Sequence, residues 1–235
     1  MSRVIQPTFD SLKSKLIRFG FAFYGEAATE SPDPEKLILD VCSLFPEEIK
    51  VYKMLLTWMG DFGHLINVER LKHLLEKGTD KNIKQQVGLL ILSGRQVEGG
   101  DKRFQYILES MLNFLKLRTS EVTALLKAQS DPYLIERYSL DPILEKIEVQ
   151  SYKIETADRK KLMAPRFVIE QNLWLKLRIL IGSNYRADVA YLRSLGKYKN
   201  KYQIWKALGS SQETAYRICT ELDALGDLSS IELKG

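Results

Sequence analysis

The chain has 235 residues, of which 45% are hydrophobic and 28% are charged, and its formal net charge at neutral pH is +5. This length allows one large domain or two small ones, and this balance of residues excludes an intrinsically disordered chain. No apolar run approaches the length of a membrane span, and the N-terminus lacks the uninterrupted apolar core of a secretion signal. We therefore expect a globular, cytoplasmic protein that makes no contact with a membrane.

The first 130 residues are predicted to form a helical domain. Apolar residues recur there with the 3.6-residue period of amphipathic helices, and the segments are short, as in a compact bundle. The predicted helices cover residues 9–22, 35–45, 46–60, 68–78, 81–93, 102–117 and 120–128. Pro46 suits the first turn of one helix, and Asn67 can cap another. The predicted fold class is therefore mainly α.

Residues 131–165 differ in character and are predicted to connect two domains. Apolar and polar residues alternate over 143–155, which indicates one or two short strands or a connector that lies against a domain. A single helix is then expected over residues 166–181, and it is apolar on nearly all sides. Such a helix must be covered, either by the N-terminal domain or by a second copy of the chain in a homodimer.

The C-terminal domain, residues 166–235, is predicted to contain three further helices and two turns. These helices are expected over residues 185–195, 202–208 and 212–225. Gly209 can take the positive φ of a tight turn, and Ser211 can cap the last helix. The large apolar side chains expected to be buried together are Trp205, Ile218 and Leu222. Two helices that meet through so short a turn form a helix-turn-helix unit.

One pattern in this segment resembles the winged helix-turn-helix DNA-binding domain of bacterial transcription regulators. The matching residues are Ile204, Ala207-Leu208-Gly209, Ser211, Thr214, Arg217, Leu222 and Gly226. The resemblance covers only the last quarter of the chain, and it implies a winged-helix-like three-helix domain whose last helix contacts DNA. A wing normally follows that helix, but only the acidic segment GDLSSIELKG remains. We therefore expect a reduced wing, and a protein-binding winged helix stays open.

Basic residues are concentrated in the same part of the chain. Residues 176–217 hold nine basic and two acidic side chains, a net charge of +7. Arg217 and Gln212 are the best candidates for contacts with base edges, while lysines of the preceding loop would meet phosphates. The predicted DNA-contacting residues are Arg186, Lys197, Lys199, Lys201, Tyr202, Ser211, Gln212, Thr214, Tyr216 and Arg217.

Motifs for catalysis or cofactor binding do not stand out. His64 and His73 are not spaced with cysteines or carboxylates as metal ligands are, and the chain has no phosphate-binding glycine loop. We therefore expect no enzyme activity, no metal and no cofactor.

Two functional hypotheses follow. The first is a DNA-binding transcriptional regulator whose N-terminal helical domain dimerises, senses a signal or binds a partner. The alternative is a winged-helix protein–protein interaction adaptor that does not bind DNA. A continuous positive strip from Lys197 and Lys201 to Arg217 would favour DNA, and an exposed apolar patch there would favour a protein.

Overall fold

The computed structural model describes residues 7–45, 47–77, 79–94, 102–115, 136, 139–145 and 153–224, with the backbone alone for 109–115. The α-helices of this part of the chain are α1 Phe9–Arg18, α2 Pro34–Ser43, α3 Ile49–Phe62, α4 Val68–Glu76, α5 Lys81–Ser93, α6 Lys102–Leu115, α7 Pro142–Glu145, α8 Pro165–Gln171, α9 Leu173–Ile181, α10 Tyr185–Ser194, α11 Lys201–Leu208 and α12 Gln212–Ala224. Short 3₁₀ turns lie at Gly63–Leu65 and Arg159–Lys161.

The predicted mainly α class is confirmed, since the described residues contain no β-strand. An isolated bridge joins Phe21 to Leu162. Of the two alternatives for residues 143–155, strands are wrong where they can be compared, because Pro142–Glu145 forms a helical turn and residues 153–158 are irregular. A connector that lies against a domain agrees with the burial of Ile154 in the larger core. Residues 146–152, the predicted helix over 120–128 and the expected wing lie outside the described residues.

Side-chain caps decide where several helices begin. The Asp33 carboxylate accepts the N–H of Lys36 at 3.2 Å, and Pro34 occupies the first helical position of α2. The Asn67 side chain accepts the N–H of Arg70 at 3.2 Å, as predicted. These caps satisfy N–H groups that have no partner inside the helix.

The single helix predicted over residues 166–181 is in fact two helices, α8 and α9. The break falls at Asn172, whose side-chain oxygen accepts the N–H of Leu175 at 3.1 Å and so starts a new helix. An asparagine in this role takes an extended backbone, which ends the preceding helix. Asn172 is fully buried, so the cap is part of the interior.

Two clusters of buried apolar side chains form the core. The larger joins the N-terminal helices and extends into α8 and α9 at Val168 and Leu175. The smaller is built from α9 to α12, and α9 contributes Trp174 and Leu177 to it. Because α9 supplies residues to both clusters, its first part is covered by the N-terminal helices, which is one of the two expected arrangements, while Ile179, Leu180 and Ile181 at its end are exposed.

Burial in the C-terminal helices follows the predicted phase with one exception. Ile218 and Leu222 are buried, at 3% and 7% exposure. Trp205 is only half-buried and packs at the edge of the cluster, with its indole N–H donating to the Ser210 carbonyl at 3.1 Å. Trp205 is therefore less buried than predicted.

Candidate nucleic-acid interface

Helices α11 and α12 meet through the turn that the sequence predicts. Gly209 ends α11 in the left-handed conformation, with φ of 74°. The Ser211 hydroxyl oxygen accepts the N–H of Thr214 at 3.2 Å and caps α12. The Ser211 hydroxyl also donates to Thr214 Oγ1 at 2.9 Å. Ser211 and Thr214, which are both predicted to contact DNA, therefore bond to each other at the N-terminus of α12.

The turn between α11 and α12 rests on α4 of the N-terminal part. Arg70 Nε donates to the Leu208 carbonyl at 2.7 Å. A Cβ atom placed on Gly209 would lie 3.3 Å from Leu74 Cδ2. In helix-turn-helix proteins the N-terminal end of the second helix approaches DNA. Here that end of α12 lies beside α4.

Acidic side chains neutralise the basic ones along α12. Arg186 donates to Glu221 Oε2 from NH2 at 2.9 Å, and Arg217 donates to Glu221 Oε1 at 2.8 Å. Hydrogen bonding by Arg186, and then by Arg217, lowers the pKa of Glu221, so this carboxylate stays ionised. Helix α12 itself has one arginine and three acidic residues, a net charge of −2.

A second acidic residue, Asp223, neutralises the other end of the same surface. It accepts from Arg193 at 2.6 Å and lies 3.2 Å from Lys201 Nζ. Lys201 also donates to Thr220 Oγ1 at 2.8 Å. The continuous positive strip from Lys197 and Lys201 to Arg217 that would favour DNA is therefore interrupted by carboxylates.

The positive surface lies instead on α11 and on the loop before it. Residues 196–212 contain four lysines and no acidic residue. Lys199 and Lys206 are exposed, while Lys197 is held by Glu30 at 2.5 Å. This segment carries a charge of +4, more than half of the net +7 of residues 176–217.

Aromatic rings alternate with these lysines. Tyr202 is 52% exposed, and Tyr198 and Trp205 are half-buried. Lys206 Nζ lies 4.3 Å from the ring centre of Trp205 and 5.5 Å from that of Tyr202. Lys197 Nζ lies 5.6 Å from the centre of Tyr198. Cations at such distances are attracted to the negative faces of aromatic rings.

Except for Trp205, these side chains line a depression that we call the α11 groove. It has a volume of about 510 Å³ and is lined by Lys197, Tyr198, Tyr202, Gln203, Lys206 and Ala207. An adjoining cleft of about 440 Å³ separates segment 28–33 from α10 and is bounded also by Trp174. Lys197, Tyr198 and Ala207 border both depressions.

The structure thus divides the predicted contact residues into separate groups. Lys197 and Tyr202 line the α11 groove, and the Lys199 N–H donates to Gln203 Oε1 at its edge, at 2.7 Å. Arg186 and Arg217 meet at Glu221 instead. Gln212 is exposed at the start of α12, and the Tyr216 carbonyl accepts from Thr220.

Four groove residues were absent from the predicted contact set: Tyr198, Gln203, Lys206 and Ala207. The signal that could have found them is the alternation of lysine and aromatic residues in KYKNKYQIWK, with Tyr202 and Lys206 four residues apart on one helix.

A buried cluster of charged side chains supports this surface from behind. Arg178 on α9 donates from NH1 to Glu35 Oε1 at 2.6 Å and from NH2 to Asp188 Oδ1 at 2.6 Å. The Trp174 indole N–H donates to the same Asp188 oxygen at 2.6 Å, and Asn67 donates to the other at 2.8 Å. All these side chains are buried, and they join α2, α4, α9 and α10.

Arg70 completes the buried cluster from α4. It donates to Glu35 Oε2 at 2.6 Å and pairs with Asp33 through both of its terminal nitrogens. Burial alone would lower the pKa of Arg70, but Asp33 and Glu35 outweigh this effect and raise it. For Arg178, burial is likewise outweighed by Glu35 and Asp188, so its pKa is raised as well. Both guanidinium groups therefore stay charged in the interior.

Other site classes find no support in the part of the chain that the structure describes. Its histidine, cysteine, aspartate and glutamate side chains form no group of three that could hold a metal ion. None of its helices is long and apolar enough to span a bilayer. Comparison with known proteins found no matching family model, no matching curated protein and no matching solved structure.

Proposed function

We propose that this chain binds nucleic acid through α11 and the loop that precedes it. The observation that carries the proposal is the composition of residues 196–212, a segment that combines four lysines and three aromatic residues and contains no acidic residue. Lysines that neutralise phosphates release condensed counterions, and this release drives sequence-independent binding. Regulation of transcription, which the winged-helix resemblance implies, would be one use of such binding.

The acidic partners of this surface are compatible with phosphate binding. The Glu30 side chain is 53% exposed and the Lys197 side chain is 46% exposed. Exposed ion pairs of this kind contribute about 0–1 kcal/mol to stability, so a phosphate can displace the carboxylate at small cost. The surface thus holds its lysines in place and leaves them available to a polyanion.

The proposal is tested by fluorescence anisotropy with labelled oligonucleotides over a range of salt concentrations. The wild-type protein is expected to bind with an affinity that falls steeply as salt rises. Lys199→Ala removes one exposed charge, so it should weaken all sequences alike and flatten the salt dependence by about one unit of slope. Lys160→Ala removes an equally exposed lysine outside the groove and serves as the control.

Two results of this experiment contradict the proposal. One is a wild-type protein that binds neither duplex nor single strands at low ionic strength. The other is an equal effect of Lys199→Ala and Lys160→Ala, because that would mean only overall charge matters.

A protein-binding adaptor is the second candidate, and one observation favours it. Ile179, Leu180 and Ile181 follow one another at the end of α9 with exposures of 52%, 62% and 42%. Contiguous exposed apolar residues are typical of interaction sites. If the protein binds no nucleic acid, the adaptor becomes the favoured function.

A further inference from the structure

The shape of the α11 groove bears on which form of nucleic acid it accepts. The α11 groove is a shallow, open depression and the adjoining cleft is more enclosed, and the two have Lys197, Tyr198 and Ala207 in common. Together they extend from α11 to segment 28–33. A duplex is usually read by an element that protrudes into one of its grooves, whereas a single strand lies within a channel of the protein.

The element that would protrude into a duplex is poorly suited to do so. Helix α12 has a net charge of −2, and its exposed Arg217 is paired with Glu221. The turn at its start rests on Arg70 and Leu74 of α4. Phosphates on either side of a major groove would therefore meet carboxylates along this helix.

The exposed aromatic rings offer a stacking surface that only unpaired bases can use. Tyr202, which lines the groove, is half exposed, and its ring centre lies 5.5 Å from that of Trp205, outside the groove lining, with the two planes at 64°. In a duplex each base is already stacked between its neighbours, so its faces cannot reach a protein ring. Stacking of unpaired bases on such rings is sequence-tolerant, because every base has a π-face.

Polar groups beside the rings can contact the parts of a nucleotide that do not stack. Lys206 lies over both rings, where its charge can reach a phosphate while its carbon chain covers the aromatic surface. Gln203 Oε1 accepts the Lys199 N–H at 2.7 Å, which leaves the amide N–H groups of Gln203 to donate. The groove thus combines a cation, a stacking surface and a hydrogen-bond donor.

From these observations we propose that the α11 groove binds an unpaired nucleic-acid strand, with bases stacked against Tyr202 and phosphates on Lys197, Lys199 and Lys206. This inference rests on the proposed function and names its substrate class. DNA and RNA strands share the chemistry that the groove recognises.

The test compares labelled oligodeoxythymidylate, oligouridylate and a hairpin duplex of equal phosphate number by anisotropy at one salt concentration. Both single strands are expected to bind more tightly than the duplex. Tyr202→Ala should weaken single-strand binding by about 5- to 150-fold, the range for loss of one stacked base. Tyr202→Phe retains the ring and should bind single strands like the wild type.

Tyr106→Ala is the matched control for this substitution. Tyr106 is 60% exposed and has Lys72 Nζ 3.8 Å from its ring centre, so it reproduces the tyrosine–lysine pair outside the groove. Equal thermal midpoints for Tyr202→Ala and Tyr106→Ala would show that both variants are folded, and the second should leave binding unchanged.

Each outcome separates the inference from the proposed function. Duplex binding that equals or exceeds single-strand binding overturns the inference and leaves the proposed function standing. A Tyr202→Ala effect no larger than that of Tyr106→Ala also overturns it. If no oligonucleotide binds, the proposed function itself fails.

Discussion

Charged residues in the interior hold the N-terminal and C-terminal helices together. Glu35 accepts from both Arg70 and Arg178, and Asp188 accepts from Arg178, Trp174 and Asn67. Transfer of such groups from water is expensive, and the cost is offset only when nearly every donor and acceptor finds a partner. This cluster meets that condition, so loss of any one member leaves another charge uncompensated.

Arg178→Met should therefore destabilise the protein strongly. It leaves the buried carboxylates of Glu35 and Asp188 short of a partner, which typically costs about 3–5 kcal/mol of unfolding free energy. Arg166→Met is the control, since Arg166 forms an ion pair with Glu170 but its side chain is 91% exposed. Urea denaturation should show a change within about 0.5 kcal/mol for that variant. Equal losses for the two substitutions would contradict a structural role for the buried cluster.

The sequence predicts local roles of single residues better than distant ones. The cap at Asn67 and the positive φ of Gly209 follow from neighbours within three or four positions. The pairing of Arg178 with Glu35 joins residues 143 positions apart, and nothing local indicates it. Charged residues are mostly exposed, so Arg178 and Asp188 were both counted as surface charge.

At the scale of elements, the helix-turn-helix unit depends on the fit of its turn against α4. Gly209 is left-handed, and a Cβ atom there would lie 3.3 Å from Leu74 Cδ2. Gly196 is also left-handed, with φ of 66°, but a Cβ atom there would have no neighbour within 4 Å. The two glycines thus share a backbone conformation and differ in the space around them.

Gly209→Ala should be more destabilising than Gly196→Ala. Both place a side chain in the left-handed region, at a cost of roughly 1–2 kcal/mol. Only Gly209→Ala also requires Leu74 to move by a few tenths of an ångström, because the Cβ contact is tighter than ordinary packing. Parallel urea titrations of the two variants measure the difference. Equal midpoints would mean that the turn is not held against α4.

Hydrophobic periodicity predicts the helices well and their interruptions poorly. Helix α3 continues to Phe62, past the end expected near Gly60, because Gly60 is exposed and only mildly unfavourable within a helix. The break at Asn172 was missed because the apolar pattern continues across it. The basic-aromatic groove was only partly predicted, since a helix-turn-helix pattern assigns the DNA contacts to its second helix, α12, and not to α11.

For the molecule as a whole, α9 is the element that links the two cores. Leu175 belongs to the larger cluster, and Trp174 and Leu177 belong to the smaller one. Hydrogen bonds reinforce this link, since the Tyr191 hydroxyl donates to the Ser31 carbonyl at 2.8 Å. Separation of the two parts would expose the buried charges as well as apolar surface. The described helices should therefore unfold as one cooperative unit.

Hydrogen exchange under native conditions tests this expectation. Amides of α3 in the larger core and of α10 in the smaller core should open with the same free energy, because neither core remains stable without the shared helix α9. Arg178→Met should lower both opening free energies by equal amounts, and Arg166→Met should change neither. If α10 opens at a lower free energy than α3, and Arg178→Met affects α10 alone, the two cores unfold independently. The buried cluster would then serve only to position the groove-bearing helices.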